Sequence, residues 1–462
     1  MSVKNKKVLF ITSFHGIISK NILNSDVFKV LKSDNNLEIV VFVPEHKKKL
    51  FEKYYSSEKV VFEGVNPRKI SQNRINVFFS RISLLLINSH YLWYKKREKI
   101  NRSKSLIIFL KYFYKITFTK FFASSKIAKK IFRFFDYLFV PKNFLAEYFD
   151  KYNPDCVFVT DVFDSTDSFF LRDAKYRKIH SVGMVRSWDN CNSKGLLRVL
   201  PDKLIVNNET IKADAEFIHL VPQNDIYVGG LPQFDKLLNE KRISRELFCN
   251  KIGADIKKKI IMFSPVGDPL SDTDWQICQI LKDALNSNEI PADVQFLVRL
   301  HPGRDLPIGD FVKDNNFIFD KPGIGEGKDV EFRPDDTNHL ADSLFHSNLI
   351  IWIATTLGID ALVYDKPQIV VNFDGFENKK YIESVKRYHD EDHMKKMLDL
   401  GGMSVVNSKE ELIDIINKYI NDPSLNRDKR KMVIDQQFWK LDGRSGERIG
   451  QYILNEINNY FL

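Results

Sequence analysis

The chain has 462 residues, enough to bury two hydrophobic cores at the usual size of about 100–200 residues per domain. Hydrophobic residues make up 44% of the sequence and charged residues 28%, so wholesale disorder is excluded. The net charge of +10 is concentrated in residues 95–142, where fourteen lysines and arginines face two acids, and such a patch predicts an anionic surface nearby.

The first half of the chain is predicted to form a parallel sheet. The apolar run Lys7–Thr12 indicates a buried strand, and a helical segment separates it from a second strand, Leu37–Val43. Strand, helix and strand at this spacing begin a parallel sheet. Further apolar strands, each followed by polar residues and a helical pattern, are predicted at Cys156–Thr160, His180–Val185 and Lys203–Val206.

A second series of strands and helices begins after Gly229–Pro232. Its strands are predicted at Lys259–Ser264, Val294–Leu300, Leu349–Trp352 and Gln368–Val371. The fold class is therefore α/β, with two Rossmann-like domains facing a central cleft. We place the first domain at 1–232, the second at 233–435, and a helix that returns to the first domain at 436–462.

Residues 71–149 break this alternation, because they are long, basic and rich in aromatic residues. Six cations recur at near-helical spacing, which predicts amphipathic helices with a cationic face: Lys111, Lys115, Lys126, Lys129, Lys130 and Arg133. The pattern suits either a helical insertion packed on the first domain or peripheral contact with an anionic membrane that salt reverses. Binding to nucleic acid is disfavoured, because no recognised RNA- or DNA-binding module surrounds the segment.

Neither cysteines nor apolar runs indicate export. The four cysteines lie far apart and form no CxxC pair, which favours a reduced, cytosolic protein. The apolar run after the basic segment Met1–Lys7 is too short for a signal peptide, and no stretch of about 18 apolar residues predicts a transmembrane helix.

Loops at the carboxyl ends of the second-domain strands carry groups that suit a phosphate. Open α/β sheets bind ligands at this edge, where arginine, histidine, hydroxyl and backbone N–H groups are donors. The alternative interpretations are that His301 has only a structural role beside a turn and that the hydroxyl residues only cap helices. The candidate donor-binding residues are Gly267, Arg299, His301, Thr355, Thr356 and Ser445. The pair Asp272 and Asp274 is interpreted as a helix cap, so no metal site is predicted.

In the first domain, the loop after His180–Val185 carries the candidate acceptor site. Trp188, Asn190 and Lys194 are the candidate binding residues, and Asp189 is the candidate general base. The rival bases are His15, Asp161 and Asp164, and each of them is also explained as a turn former or cap.

These residues resemble the GT-B glycosyltransferase superfamily, and most closely its polysaccharide branch with the CDP-glycerol glycerophosphotransferases and UDP-N-acetylglucosamine 2-epimerases. The resemblance lies in four segments: Gly229–Asp235 as a linker strand, Arg299–Pro302 as a donor-phosphate motif, Thr355–Asp360 with Lys366–Pro367, and Asp442–Arg448 as a closing element. It adds Asp360 to the donor-binding residues. A His-Pro motif with a hydroxyl pair also resembles bacterial transferases that use CMP-sugars.

Two departures from the family pattern bear on the mechanism. The glycerophosphotransferases carry Trp-His-Gly, with the histidine proposed as base, where this sequence has Trp188–Asp189–Asn190. The large retaining group has two glutamates eight positions apart; Asp360 matches the second, but Trp352 stands at the first. The missing glutamate disfavours the retaining mechanism of that group and favours inversion, and no metal or other cofactor is predicted.

The sequence thus predicts a bacterial glycosyltransferase that moves a sugar from a CMP- or UDP-linked donor to a glycan or lipid-linked acceptor. The product would be a cell-surface polysaccharide such as capsule or lipopolysaccharide, made on the cytoplasmic face of the membrane. A CDP-polyol phosphotransferase or a nucleotide-sugar 2-epimerase is the alternative, since one fold hosts several reactions. A non-catalytic adaptor is disfavoured, because polar groups converge at several strand ends.

Overall fold

The computed structural model describes residues 6–15, 19–101, 105–304, 306, 311–323 and 335–459. The chain divides into two compact units, Met1–Lys236 with Phe438–Leu462, and Leu237–Gln437. Each unit is built around one sheet in which all paired strands are parallel.

The described residues of the first unit form a seven-stranded sheet in the order β3-β2-β1-β4-β5-β6-β7. Its strands are β1 (Lys7–Thr12), β2 (Leu37–Pro44), β3 (Val60–Val65), β4 (Cys156–Val159), β5 (His180–Met184), β6 (Lys203–Val206) and β7 (Ile226–Val228). The central strand β1 pairs with β2 on one side and β4 on the other, so that Leu9 lies beside both Ile39 and Cys156.

Helices follow most strands of this unit. They are α1 (Asp26–Ser33), α2 (Lys48–Tyr55), α3 (Pro67–Ser71), α4 (Arg74–Ser83), α5 (His90–Asn101), α6 (Leu106–Phe122), α7 (Lys126–Phe139), α8 (Ala146–Tyr152), α9 (Ser165–Arg177), α10 (Asn190–Ser193) and α11 (Glu209–Phe217). Helix α12 (Asp235–Asn239) begins at the end of the unit. Short helical turns lie at Ser19–Leu23, Glu45–Lys47, Gln223–Asp225 and Pro232–Phe234.

Both faces of the first sheet are buried, as near-continuous apolar strands require. Val8 and Phe10 of β1 belong to one core, together with residues of the helices between β3 and β5. Leu9 and Ile11 belong to the opposite core. Successive side chains of a strand point to opposite faces, so one apolar strand serves two cores.

The carboxyl-terminal helix of the chain, α21 (Ser445–Asn459), packs on α1 of the first unit. Its Ile449 and Ile453 are buried in the same core as Leu9. Two glycines make the close crossing possible: a Cβ at Gly446 would lie 3.0 Å from the Val27 nitrogen, and one at Gly450 would lie 2.8 Å from the Val30 Cβ. The spacing of these glycines by one helical turn therefore fixes where the two helices touch.

Helix α7 is attached to the unit through its polar side. Asp136 is fully buried and forms ion pairs with Arg172, at 2.5 Å, and with Arg198, at 2.6 Å. Lys129 Nζ donates to the Ile218 carbonyl, and Arg133 donates to two further backbone carbonyls. Lys129 and Arg133, two of the six cations predicted to form a cationic face, therefore point inward, because backbone carbonyls accept their hydrogen bonds. Among the residues described, no helix is long and apolar enough to span a bilayer.

The described part of the second unit forms a six-stranded sheet in the order β10-β9-β8-β11-β12-β13. Its strands are β8 (Lys259–Ser264), β9 (Val294–Arg299), β10 (Phe317–Asp320), β11 (Leu349–Trp352), β12 (Gln368–Val371) and β13 (Ser404–Val406). Its helices are α13 (Arg245–Ile252), α14 (Asp274–Asn286), α15 (Asp336–His346), α16 (Leu357–Leu362), α17 (Lys386–His389), α18 (Asp392–Leu398), α19 (Lys409–Asn421) and α20 (Arg427–Phe438).

All nine strands predicted from the sequence are confirmed, with ends that differ by at most one residue. Four strands were not predicted from the sequence, and these are the two edge strands of each sheet: β3, β7, β10 and β13. Edge strands are less buried than central ones, so their sequences lack the continuous apolar run that marks a central strand.

Candidate functional site

Each unit gathers the loops that follow its strands at one edge of its sheet, because all of the strands are parallel. The predicted donor-binding residues other than Ser445 lie along this edge of the second unit: Arg299 is the last residue of β9, and the others follow β8, β9 and β11. These three strands are neighbours in the sheet, with β8 in the middle. The predicted catalytic and acceptor residues lie at the corresponding edge of the first unit, after β1, β4 and β5.

One buried carboxylate fixes the backbone of the loop after β8. Asp274 Oδ2 accepts hydrogen bonds from the backbone N–H groups of Val266, at 2.7 Å, and Gly267, at 2.8 Å. Gly267 has a φ of 78°, a conformation that glycine adopts without strain. Arg304, from the loop after β9, donates to the Val266 carbonyl at 2.7 Å. The structure therefore brings the Gly267 loop and the His301 loop together.

His301 is held in one neutral tautomer. Its Nδ1 lies 3.1 Å from the backbone nitrogen of Gly303 and accepts the N–H hydrogen bond, so the ring proton is on Nε2. Burial, and to a smaller extent the nearby Arg304 charge, lowers the pKa of His301 to about 4. At neutral pH the side chain is thus an uncharged donor, which suits a phosphate oxygen.

The hydroxyl pair lies at the start of α16, after β11. Thr355 Oγ1 accepts a hydrogen bond from the Leu357 backbone N–H at 3.3 Å, and Thr356 is exposed. Asp360 lies half-buried one turn further along α16. Trp352 is fully buried and donates to Gln368 at 2.7 Å, so this position is part of the core.

Two predicted donor-binding residues are engaged in other contacts. Arg299 is buried and forms an ion pair with Asp320, which also accepts a 3.0 Å hydrogen bond from His339. Ser445 belongs to the first unit. There its hydroxyl accepts a hydrogen bond from Arg448 at 3.1 Å, and its backbone N–H donates to Asp235.

At the edge of the first sheet, two of the rival bases form one pair. His15 Nε2 lies 3.1 Å from Asp164 Oδ2, and Asp164 also caps α9 through the N–H groups of Thr166 and Asp167. Burial raises the pKa of Asp164, but the His15 hydrogen bond and charge outweigh it and leave the pKa below its usual value. Asp164 is therefore an ionised group that orients the imidazole.

Two more carboxyl groups lie near this pair. Asp161 forms a 3.2 Å ion pair with Arg186, although burial still raises its pKa. Asp167 is fully buried, and burial together with the charges of Asp164 and Asp161 raises its pKa well above the usual value. Of these groups, Asp161 and Asp167 are buried, whereas His15 reaches solvent.

Asp189 is held by two serines. Ser187 Oγ donates to one carboxylate oxygen at 2.5 Å, and Ser193 Oγ donates to the other at 2.9 Å. These hydrogen bonds fix the direction of the carboxylate. Of the predicted acceptor-binding residues, Trp188 and Asn190 are buried, and Lys194 is exposed.

Arg304 and Asp167 were not predicted from the sequence as site residues. Arg304 follows His301 by three residues in the same turn, a spacing that was visible in the sequence. Asp167 lies in the first turn of α9 and looks like an ordinary capping acid, so only its burial reveals it. Within the described ranges, no group of three or more histidine, cysteine, aspartate or glutamate side chains has metal-binding geometry.

The chain resembles known proteins in family and in fold. Residues 46–455 match the family model described as CDP-Glycerol:Poly(glycerophosphate) glycerophosphotransferase. No curated protein sequence matches the chain.

Solved structures with a similar fold include a putative UDP-N-acetylglucosamine 2-epimerase from Listeria monocytogenes, with 12% identity and a TM-score of 0.55 over 99% of this chain and 97% of that one. MnaA of S. aureus, solved with UDP, has 13% identity and a TM-score of 0.53 over 98% and 97% of the two chains. The wall teichoic acid polymerase TagF, solved with CDPG, has 14% identity and a TM-score of 0.51 over 99% and 90%. The predicted resemblance and the GT-B class of two Rossmann-like domains are confirmed.

Proposed function

Because the chain belongs to the CDP-glycerol:poly(glycerophosphate) glycerophosphotransferase family, we propose that it transfers a nucleotide-activated group to a hydroxyl of a cell-surface polymer. The family consists of transferases. We propose further that the group transferred is a sugar, carried by CMP or UDP, and that the acceptor is a glycan or a lipid-linked glycan.

The donor assignment depends on the locked tautomer of His301. Its Nε2–H is the donor, and its loop is joined to the Gly267 loop through Arg304. A neutral histidine, a guanidinium and the threonine hydroxyls at the start of α16 offer hydrogen bonds to the phosphates without a metal ion. Both acids of the Asp272–Asp274 pair are engaged, one with Lys379 and the other with the Gly267 loop.

The acceptor hydroxyl is deprotonated by Asp189 in this proposal. As its oxygen attacks the anomeric carbon, the bond from that carbon to the phosphate oxygen breaks, the nucleotide leaves, and the proton goes to the Asp189 carboxylate. Single displacement inverts the anomeric centre. The two serines hold the carboxylate in one orientation, which a general base requires. The rival base is His15, oriented by Asp164.

The second candidate function is transfer of a polyol phosphate, which the family match itself favours. The chemistry differs in the bond that breaks. Sugar transfer from a UDP-sugar releases UDP and adds no phosphorus to the product. Transfer from CDP-glycerol cleaves the pyrophosphate, releases CMP and adds one phosphorus atom per unit.

The released nucleotide and the phosphorus content of the product show which bond breaks. Purified protein is first screened by thermal shift with UDP, CMP, CDP and GDP, since a ligand at 100-fold excess over Kd adds about 2.7 kcal/mol of stability. It is then incubated with UDP-sugars, CMP-sugars or CDP-glycerol and a synthetic glycolipid acceptor, and the released nucleotide and the phosphorus content of the product are measured. We expect sugar incorporation without added phosphorus. Incorporation of phosphorus from CDP-glycerol, with no sugar transfer, would replace the first candidate by the second.

Repeating the assay with EDTA tests metal independence, and we expect an unchanged rate.

A further inference from the structure

A pocket opens at the amino edge of the second sheet, the edge opposite to the loops after β8, β9 and β11. Asn348 and Pro367 line it, and these residues directly precede β11 and β12. Its volume of about 560 Å³ lies within the range of about 300–1,000 Å³ that is typical of small-molecule sites. We call it the amino-edge pocket, and its charged lining residues are Arg245, Asp365, Lys366, Asp422, Arg427 and Arg430.

Two cations of the pocket, Arg245 and Lys366, form no ion pair with any residue that the structure describes; their hydrogen bonds go to backbone carbonyls. Lys366 Nζ donates to the Phe345 carbonyl at 2.6 Å. Arg245 donates to the carbonyls of His346, at 2.9 Å, and Lys258, at 2.6 Å. Burial, and to a smaller extent the Arg245 charge, lowers the pKa of Lys366 to about 8. Two positive charges are therefore held close together in a poorly solvated part of the pocket.

Capping of α15 explains only part of this charge. Phe345 and His346 are the last two residues of α15, and cations near the carboxyl terminus of a helix stabilise it. The carboxyl end of a helix carries about half a negative charge, whereas Arg245 and Lys366 each carry a full positive one. His346 adds no charge, because its Nε2–H donates to the Ile243 carbonyl at 2.8 Å and burial lowers its pKa.

The other side of the pocket does not supply the missing negative charge. Arg427 and Arg430 share one carboxylate, that of Asp365, with nitrogen–oxygen distances of 2.9 Å in both pairs. Asp422 is the second acid of the lining, and it accepts hydrogen bonds from Ser424. Four cations thus face two acids. The excess of two positive charges is close to the negative charge of a phosphomonoester at neutral pH.

Hydrogen-bond donors for a phosphate are present in the same place. An ammonium group has three N–H donors and a guanidinium group has five. Backbone carbonyls take one of those of Lys366 and two of those of Arg245. Asn348 Oδ1 accepts a hydrogen bond from the Ile260 N–H at 3.0 Å, which leaves the Asn348 NH2 group as a further donor. Phe345 is 44% exposed and supplies an apolar wall beside these groups.

We propose that the amino-edge pocket binds a small phosphomonoester, such as a sugar phosphate, with the phosphate between Arg245 and Lys366 and the organic group beside Phe345. Five heavy atoms of the size of a water molecule, about 30 Å³ each, fill only a fraction of the pocket, so a bare phosphate ion leaves room for that group. The amino and carboxyl ends of parallel strands lie at opposite edges of a sheet. The pocket is therefore separate from the proposed donor site and does not depend on the transfer reaction.

The test is isothermal titration of the full chain with glucose 6-phosphate, inorganic phosphate and glucose. We expect glucose 6-phosphate to bind more tightly than inorganic phosphate, and glucose not to bind. Lys366→Gln keeps a donor for the Phe345 carbonyl but removes the charge, so it should weaken binding of glucose 6-phosphate about tenfold. Lys431 is exposed on α20 and does not line the pocket, so Lys431→Gln should leave the affinity unchanged.

Melting temperatures without ligand show whether Lys366→Gln keeps the fold. If it melts early, Arg427→Glu takes its place, because the Arg427 side chain is 69% exposed and its charge reversal removes the positive excess. Binding of glucose 6-phosphate should again fall about tenfold. His301→Ala should bind glucose 6-phosphate as the wild type does, which distinguishes this pocket from the donor site.

Three results would overturn the proposal. The first is that glucose 6-phosphate does not bind to the wild type, or binds equally to the charge-removing variant and Lys431→Gln. The second is loss of binding in His301→Ala alone, which would assign the anion to the donor edge. The third is equal affinity for inorganic phosphate and glucose 6-phosphate, which would leave a site for the free ion and not for an ester.

Discussion

The carboxyl edges of the two sheets have opposite chemistry, although both sheets are parallel and central strands of both are buried on two faces. The edge of the first sheet carries several carboxyl groups; Asp164 is held by His15, and Asp189 is held by two serines. The edge of the second sheet carries a neutral histidine, an arginine and hydroxyl groups. The edge of the first sheet thus carries groups that can accept a proton, and the edge of the second sheet carries groups that donate hydrogen bonds.

This contrast shows that the same architecture does not fix the chemistry of its edge. The strands place the loops, and the loop residues decide the chemistry of the edge. Variants on each edge should therefore affect different measurable quantities, turnover for the first sheet and nucleotide affinity for the second.

The largest effect is expected from the proposed base on the first edge. Asp189→Asn keeps the two serine contacts within reach but removes the proton acceptor. Turnover should fall about 10²–10⁴-fold while nucleotide affinity stays at the wild-type value. Steady-state rates and nucleotide titration of the variant measure the two quantities separately.

His15→Ala and Asp164→Asn are the matched variants of the rival pair. If they lose turnover to that extent and Asp189→Asn does not, the base is His15 and Asp164 is its positioning residue. A loss of nucleotide affinity in Asp189→Asn would contradict the expectation that variants at the first edge affect turnover and not nucleotide affinity.

A pH-dependent loss of stability is expected from His219, which supports the first edge. It is fully buried, its Nε2–H donates to the Cys191 carbonyl at 2.9 Å, and its Nδ1 accepts from the Leu197 N–H. Burial lowers its pKa to about 3. Below the usual pKa of about 6.5, His219 binds a proton in the unfolded chain but not in the folded chain. The free energy of unfolding therefore decreases by about 2 kcal/mol as the pH is lowered from 7 to 5.

Urea unfolding of wild type and His219→Asn at both pH values measures this contribution. The asparagine side chain cannot titrate, so the variant should lose less stability than the wild type over the same interval, by that amount. Identical pH dependence of the two proteins would assign the acid sensitivity to other groups.

On the second edge, His301→Ala should weaken nucleotide binding about tenfold, the value of one hydrogen bond to a charged group. Because the pKa of His301 is lowered to about 4, the wild-type affinity for a nucleotide sugar, whose esterified phosphates do not titrate in this range, should not change between pH 8 and pH 6. Isothermal titration checks both statements, with His46→Ala, an exposed histidine of the first unit, as control. Affinity that falls as the pH rises through 6.5 would mean that a cationic histidine binds the phosphate.

The smallest effect is expected from a pair of glycines in the second unit. Gly267 and Gly253 both have left-handed backbones, with φ of 78° and 73°, so alanine at either should cost about 1 kcal/mol of unfolding free energy. Only Gly267 lies in the proposed donor loop, and Gly253 has open space around it. Thermal unfolding should show the same loss of stability for both variants. Nucleotide titration should show weaker binding for Gly267→Ala alone. Equal nucleotide affinities of the two variants would place the β8 loop outside the donor site.

The sequence determined the central strands of both sheets and the loops that follow them. Continuous apolar runs such as Lys259–Ser264 are visible without a structure, because a strand buried on two faces needs apolar residues at every position. The edge strands β3, β7, β10 and β13 could not be predicted in this way, because an edge strand is paired on one side only and tolerates polar residues.

Contacts between distant residues were decided by the tertiary structure alone. Spacing in the sequence indicated that Lys129 and Arg133 share a helix face with other cations, but it could not show that the Ile218, Leu197 and His219 carbonyls would accept their hydrogen bonds. The pairing of His15 with Asp164, 149 residues apart, has the same origin. Periodicity records which side chains share a face, whereas the direction in which that face points depends on partners that only folding brings into contact.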